Sequence, residues 1–419
     1  MLVGMKSLVL TILLILAAGM FLAGCTSSQP APVTPAAPAV TAAQAAPAAA
    51  PLVYSQAELD MKLKMRQLWT DHAVWTRLYI IESLDNSPAA DAAAARLLQN
   101  QVDIGNAIRP VYGDAAGDQL TALLKQHILI AVDIINDVKA KNATAQAADE
   151  ARWTSNADDI SDFLSTANPT YWPRDTVKNL MYMHLSTTKD ELVARATQNY
   201  PADVTAWDAV YDHILTMSDA LSDGVIRQNP DKFAGPKIYS QKEVDLRNSL
   251  RKLWTDHTVW TRLYIIESLD NSPAADPAAA RLLRNQADIG DAIKPVYGDA
   301  AGTQLTALLR QHILIAVDII NDVKAKNATA QAADETRWAA NANDISDFLA
   351  AANPNWPDAA VRGLMAMHLS TTKDELVARA TGNYPADVTA YDTVYAHILK
   401  MSDTLSDGIV AQFPAMFGR

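Results

Sequence analysis

A single cysteine, Cys25, stands in a chain of 419 residues, so no disulfide can close within it and any folded part must be held by a buried core. The other absences exclude chemistry. No Glu-x-x-His pair occurs, which removes the di-iron pattern of ferritin-like bundles, and the histidine spacings do not reproduce the oxygen-binding hemerythrin pattern. Cys-x-x-Cys-His, the attachment site of c-type haem, is missing as well. No serine sits in a nucleophile elbow, and no Gly-rich loop joins a strand to a helix, so hydrolase and nucleotide-binding readings lack their motifs. Basic excess is also lacking: the net charge is -12, which argues against nucleic acid and against a basic membrane-binding face.

One long apolar run is present, Leu8 to Leu22, preceded by Lys6 and followed by Ala23-Gly24-Cys25. This is the pattern of a lipoprotein signal with a lipobox, and it predicts cleavage before Cys25 and lipidation of that thiol. The mature protein is then expected on the extracytoplasmic face of a cell membrane, tethered through its N-terminus. The competing reading is an uncleaved span, for which the run is near the lower length limit. Residues Thr26 to Pro51 are nearly all Ala, Pro, Thr, Ser and Gln, a composition that predicts a disordered linker over 25–53.

Tyr54 to Phe233 returns as Tyr239 to Phe417 at roughly three-quarters identity. The expected organisation is a leader over 1–24, the linker, one helical repeat over 54–235 and a second over 236–419. Ala234-Gly-Pro-Lys237 joins the repeats, short enough to hold them side by side. Helical periodicity with caps covers each copy, so the fold class is all-α: two tandem bundles of about six helices each. Ser55 with Glu58, and Ser240 with Glu243, read as capping boxes opening a first helix that runs to about Leu84. Asp91 and Asp276-Pro277 are expected to start the second helix, and Pro110 with Gly113 to end it. The third helix carries His127-Ile-Leu-Ile-Ala-Val132, apolar almost all round, which predicts a place at the bundle centre. Thr188 and Glu191 leave open whether the fifth helix breaks after Ser186.

Each copy has four histidines, one near the middle of each of four long helices: His72, His127, His184 and His213, then His257, His312, His368 and His397. Their helical neighbours are mostly apolar, so they face inward. Two readings stand. Either the imidazoles serve packing through hydrogen bonds, or they build a copper, zinc, iron or haem site with Asp133, Asp137, Glu191, Asp208 or Asp219 completing the shell. Met181-x-x-His184 and His213-x-x-x-Met217 lean toward copper, as do Met365 with His368 and His397 with Met401, because thioether and imidazole suit Cu(I). Trp69-Thr-Asp-His72 with Trp75-Thr-Arg77 reads either as core packing or as the wall of an organic-ligand pocket. Asp71 and His72 are adjacent on a helix and diverge by about 100°, so they form no dyad. Asn142 and Asn327 are sequons at turns, open to glycosylation or to helix capping.

Trp69-Thr-Asp-His72-x-x-Trp75-Thr-Arg77, Asp103-Ile-Gly105, Tyr112-Gly113, His127-Ile-Leu-Ile-Ala131, Asn156-Ala-Asp158 and Asn168-Pro169 together resemble a largely uncharacterised family of small helical proteins of bacteria and archaea. The resemblance covers almost all of each copy. It implies the helical fold and no catalytic residue. Labels that some members carry, acetylglutamate kinase or glycosyltransferase, imply α/β folds with Gly-rich loops that this chain lacks. The sequence thus leads to a lipid-anchored binding or structural module without catalysis; the alternative is metal or haem binding by the histidines. A protein or small-molecule partner is left unnamed.

Overall fold

A computed structural model describes residues 52–419; the leader, Cys25 and the stalk up to Pro51 lie outside the described residues. The fold is all-α. The first copy contributes α1 (Gln56–Leu84), α2 (Ala90–Tyr112), α3 (Asp114–Ala140), α4 (Ala143–Ala167), α5 (Arg174–Ala196) and α6 (Tyr200–Gln228). The second contributes α7 (Gln241–Leu269), α8 (Ala275–Tyr297), α9 (Asp299–Ala325), α10 (Ala328–Ala352), α11 (Asp358–Ala380) and α12 (Tyr384–Gln412). Two short strands, β1 (Leu52–Tyr54) and β2 (Tyr239–Ser240), pair antiparallel at the head of the two copies. Residues 52 and 53, expected in the linker, therefore belong to the folded body.

Local chemistry sets the helix ends. Ser55 Oγ accepts from the Glu58 amide while the Glu58 carboxylate accepts from the Ser55 amide at 2.6 Å, and Ser240 with Glu243 repeats the box. Asn142 and Asn327 cap α4 and α10, accepting from the amides of Ala145 and Ala330. Gly113 at φ +87 ends α2 and starts α3, a backbone that L-residues rarely adopt. The second helix starts differently from expectation: Asp91 and Asp276 lie in the first turn, and the preceding loop is tied by Ser87 and Ser272, whose hydroxyls accept from Ala89 and Ala274. Pro277 sits in that first turn, where a missing N–H costs no helical bond. Pro110 lies inside the last turn of α2, which runs on to Tyr112. Helix α5 is one continuous rod, with the Thr187 hydroxyl back-bonded to the Met183 carbonyl inside it.

Each copy closes into a ring. Along the chain each helix packs on the next, and α6 returns to α1, with α12 returning to α7 in the second copy. This geometry overturns the expectation that α3 is central. In a ring every helix keeps an outward face, and Leu129 of α3 is 53 % exposed. The enclosed helix is α1, buried at every residue from Leu68 to Ser83, because its outer face meets the other copy.

The contact between copies is reciprocal. Arg195 of α5 binds Glu267 of α7 at 2.8 Å, and Arg379 of α11 binds Glu82 of α1 at 2.7 Å. Tyr54 Oη donates to Gln241 and Tyr239 Oη donates to Gln56. Arg77 stacks on its own Trp207 and on Trp260 of the second copy; Arg262 stacks on its own Tyr391 and on Trp75 of the first. This self-complementary pattern is the one a two-fold symmetric pair uses.

Candidate functional site: a histidine cluster beneath an apolar chamber

Three of the four histidines of each ring meet. His72 from α1, His127 from α3 and His184 from α5 are all buried, their ring centres 5.3, 5.7 and 6.5 Å apart. The Nε2 atoms of His72 and His184 face each other at 3.4 Å. In the second ring His257, His312 and His368 repeat the arrangement, with His368 at 5.5 Å from His257 and 5.8 Å from His312. Helical spacing alone brings this about: each imidazole lies on the inward stripe of its helix, at about the same level of the bundle.

Hydrogen bonds fix one tautomer. Asn156 donates from Nδ2 to the Leu123 carbonyl, so its Oδ1 must accept at 2.9 Å from His127 Nδ1–H. His127 Nε2 is then a bare lone pair, buried without a partner. Asn341 does the same for His312. His72 Nδ1 and His184 Nδ1 are likewise buried and unpartnered, while the Gln101 side chain acts on His72 to favour its protonated form. Burial dominates: it lowers His72 to about 3 and His127 to about 4, and holds His184 well below the usual range. The cluster is neutral at neutral pH.

The fourth histidine stands apart. His213 donates from Nε2 to the Leu180 carbonyl at 2.9 Å, touches only the His184 ring, and is half-buried; His397 bonds Leu364 in the same way. Met217 and Met401 are wall residues of an apolar chamber. Four of the five carboxylates expected to complete a shell are engaged elsewhere, Glu191 on Arg77, Asp208 on Arg281 and Arg284, Asp219 on Arg66 and Asp133 on Arg152, whereas Asp137 lies beside Asp149 with its Oδ2 buried and unpartnered. Side chains that carry a charge gain more from a guanidinium than from a neutral imidazole, and the arginines lie within reach. Among the described residues no group of three or more His, Cys, Asp or Glu side chains could hold a metal ion.

The chamber fills one half of each ring. Residues of all six helices wall it, among them Trp69, Ile104, Leu124, Ile160, Met181 and Met217, and the wall presents no polar surface. It is narrow, a cavity of about 20 Å³, and the second ring's equivalent is about 40 Å³. Wall and cluster adjoin along the chain, through Trp69 and His72, Leu124 and His127, Met181 and His184, and Met217 and His213.

Below the histidines lies a buried ionic knot that spacing did not reveal. Arg77 donates to Glu191 at 2.7 Å and to both oxygens of Asp203 at 2.9 and 3.0 Å, and all three residues are buried. Burial pushes Glu191 up, to about 7, against the pull of Arg77. Asp71 turns away from His72 toward Arg96, and burial raises it to about 7. The one sequence signal for the knot is Arg77 within a stretch of α1 that has no polar face. No family model, no curated protein and no solved structure matches this chain.

Proposed function

We propose that the chain is a lipid-anchored extracytoplasmic binding module that takes one small apolar guest in each ring and performs no catalysis. The leader ending in Leu22-Ala-Gly-Cys25 supports the anchor, and no helix among the described residues is long and apolar enough to cross a membrane. The observation that carries the binding reading is the chamber, walled by all six helices without polar surface and repeated in the second ring. A guest of matching chemistry is an aliphatic chain, which enters by spreading the wall, because the unoccupied cavity of about 20 Å³ has room for about one water molecule. Neutral imidazoles with no nucleophile beside them support binding over turnover. Asn142 and Asn327 are exposed caps whose amide nitrogens stay free for a glycan in a host that attaches one.

Two experiments test this. Cys25→Ser moves the protein from the membrane to the soluble fraction; retention on the membrane refutes the anchor. The soluble Cys25→Ser protein, titrated with a fluorescent polyene fatty acid, takes up two equivalents, and Leu124→Trp removes one. Absence of uptake, or uptake indifferent to Leu124→Trp, refutes the chamber as the site.

A further inference from the structure

We infer that the end of the body from which the chain runs back to Cys25, with Leu52, Val53, Ile238 and Met416 exposed on it, docks on the lipid surface that holds the anchor. The inference rests on the anchored reading of the leader and is independent of whether the chambers take a guest.

Exposure is the first support. Leu52, Val53, Ile238 and Met416 are 40, 39, 39 and 42 % exposed, and hydrogen bonds gather them at one tip. The Ile238 amide donates to the Tyr54 carbonyl, Arg419 donates to the Ile238 carbonyl, and Lys242 donates to the Met416 carbonyl. Val53 and Ile238 each precede the tyrosine that opens their repeat, so the two copies present an apolar side chain at equivalent positions. The other exposed aliphatic side chains are scattered. Leu129 stands on α3, Met183 and Val193 on α5, and α4 between those helices exposes no large apolar residue; Leu314, Met367 and Val377 repeat this in the second copy. Single apolar residues on a surface are ordinary, whereas a group of them at one end marks a contact.

The place where the chain enters is the second support. Thr26 to Pro51 lead from Cys25 to β1, so the tether joins the body at Leu52, within the cluster. A tether of about 26 residues spans at most about 90 Å when fully extended, and attachment of this kind raises the effective concentration of the body at the surface. Weak docking then suffices to orient it. The chambers lie toward the same end: Ser55 donates to the Phe233 carbonyl just beyond α6, and Lys232 donates to the Pro110 carbonyl in the last turn of α2. Wall residues Tyr112 and Val225 belong to those two helix ends. Docking by the tip therefore brings the chamber half of the ring nearest the lipid.

Charge decides the kind of surface. Lys237 pairs with Glu58 at 2.5 Å and Arg419 with Glu243 at 2.6 Å, and Lys232 and Lys242 have the exposed Asp231 and Asp245 within three residues. Without a surplus of cations the contact is apolar, so zwitterionic lipid serves.

The test uses residues 25–419 carrying Cys25→Ser, held by an N-terminal hexahistidine on phosphatidylcholine vesicles that contain a nickel-chelating lipid. A nitrobenzoxadiazole dye on Met416→Cys or on Ile238→Cys shifts to the blue and is quenched by spin-labelled acyl chains; on Leu129→Cys it does neither. The shift survives about 1 M salt, where screening acts within about 3 Å. Val53→Asp with Ile238→Asp abolishes it at Met416→Cys while the protein stays on the vesicles with unchanged helical circular dichroism. No shift at the tip, an equal shift at Leu129→Cys, loss of the shift in salt, or its persistence with both aspartates would each overturn the inference. A shift that grows with protein concentration in the absence of vesicles assigns the tip to a second copy and overturns it too. Chelated vesicles supply the tether whatever happens to Cys25 in the cell, so failure of docking and failure of the anchor are read separately.

Discussion

Replacing Arg77 by Met removes the only guanidinium that Glu191 and Asp203 share, at 2.7 and 2.9 Å, in a place where the three side chains are 3 %, 1 % and 4 % exposed. Met keeps much of the volume but leaves two carboxyl groups buried without a cation. Breaking a buried pair in this way costs about 3–5 kcal/mol, against a total stability of about 5–15 kcal/mol for an ordinary domain. The loss also acquires a pH dependence of known sign. Without Arg77 the buried Glu191 carboxyl, already raised by burial, loses the cation that favoured its charged form, so its folded pKa rises further above the unfolded one. The folded variant then binds more protons than the unfolded chain, and the deficit relative to wild type shrinks as pH falls from 8 toward 5, by about 1.4 kcal/mol per pH unit for each proton taken up. Urea unfolding of both proteins at pH 8 and pH 5.5, in the Cys25→Ser background, measures the difference. Arg152→Met is the control: Arg152 and its partner Asp133 are about half-exposed and its other partner, Asp149, is partly exposed, so the change is below about 1 kcal/mol. A loss under about 1 kcal/mol at pH 8, or one that does not vary with pH, would refute the reasoning.

Gly105→Ala forces α2 and α3 apart, because a Cβ there lies 2.6 Å from the Gly117 carbonyl and against Thr121; the cost is about 1–3 kcal/mol, read as a lower melting temperature, and an unchanged one contradicts the close approach. Acid drains stability through the histidines: His72 and His257 sit at about 3, His127 and His312 at about 4, so below about pH 6.5 the unfolded chain binds protons that the folded chain refuses. Their contribution is complete above that pH and falls by about 1.4 kcal/mol per unit for each imidazole as pH drops toward 4. His72→Phe with His257→Phe flattens the pH slope of the urea midpoint by about two protons; an unchanged slope shows that these rings titrate normally. Arg195→Met with Arg379→Met cuts the reciprocal links to Glu267 and Glu82 and leaves four buried or half-buried carboxylates unpaired, so unfolding becomes biphasic if the rings part first; a single transition with the wild-type midpoint speaks against these links holding the copies together.

Asp158 and Tyr182 show why the copies can differ. Tyr182 Oη donates to Asp158, and Lys178 pairs with the same carboxylate, all on the surface. In the second copy Asn343 and Ala366 stand there, and Arg362 donates to Asn343 instead. The exposed bond is rebuilt with other residues, and neither version touches the histidines.

Periodicity and capping alone determined the helices, because these are local properties: a Ser-x-x-Glu box or an Asn before an amide closes within one turn. The duplication, the inward stripe of histidines and the acidic balance were equally legible. The exceptions are instructive. Asp91 failed as a cap because the loop before α2 is tied by Ser87, a contact outside the helix pattern. Helix α3 was misplaced because hydropathy reports how apolar a helix is, and only the ring and its contact with the second copy determine which helix loses its outer face. Tertiary structure alone decided that three histidines meet and the fourth bonds a carbonyl, that the methionines wall a chamber, and that Arg77 finds partners 114 and 126 residues away. A helix period fixes the direction of a side chain to within about a third of a turn, whereas a shared site depends on the relative height and tilt of separate helices, which packing sets.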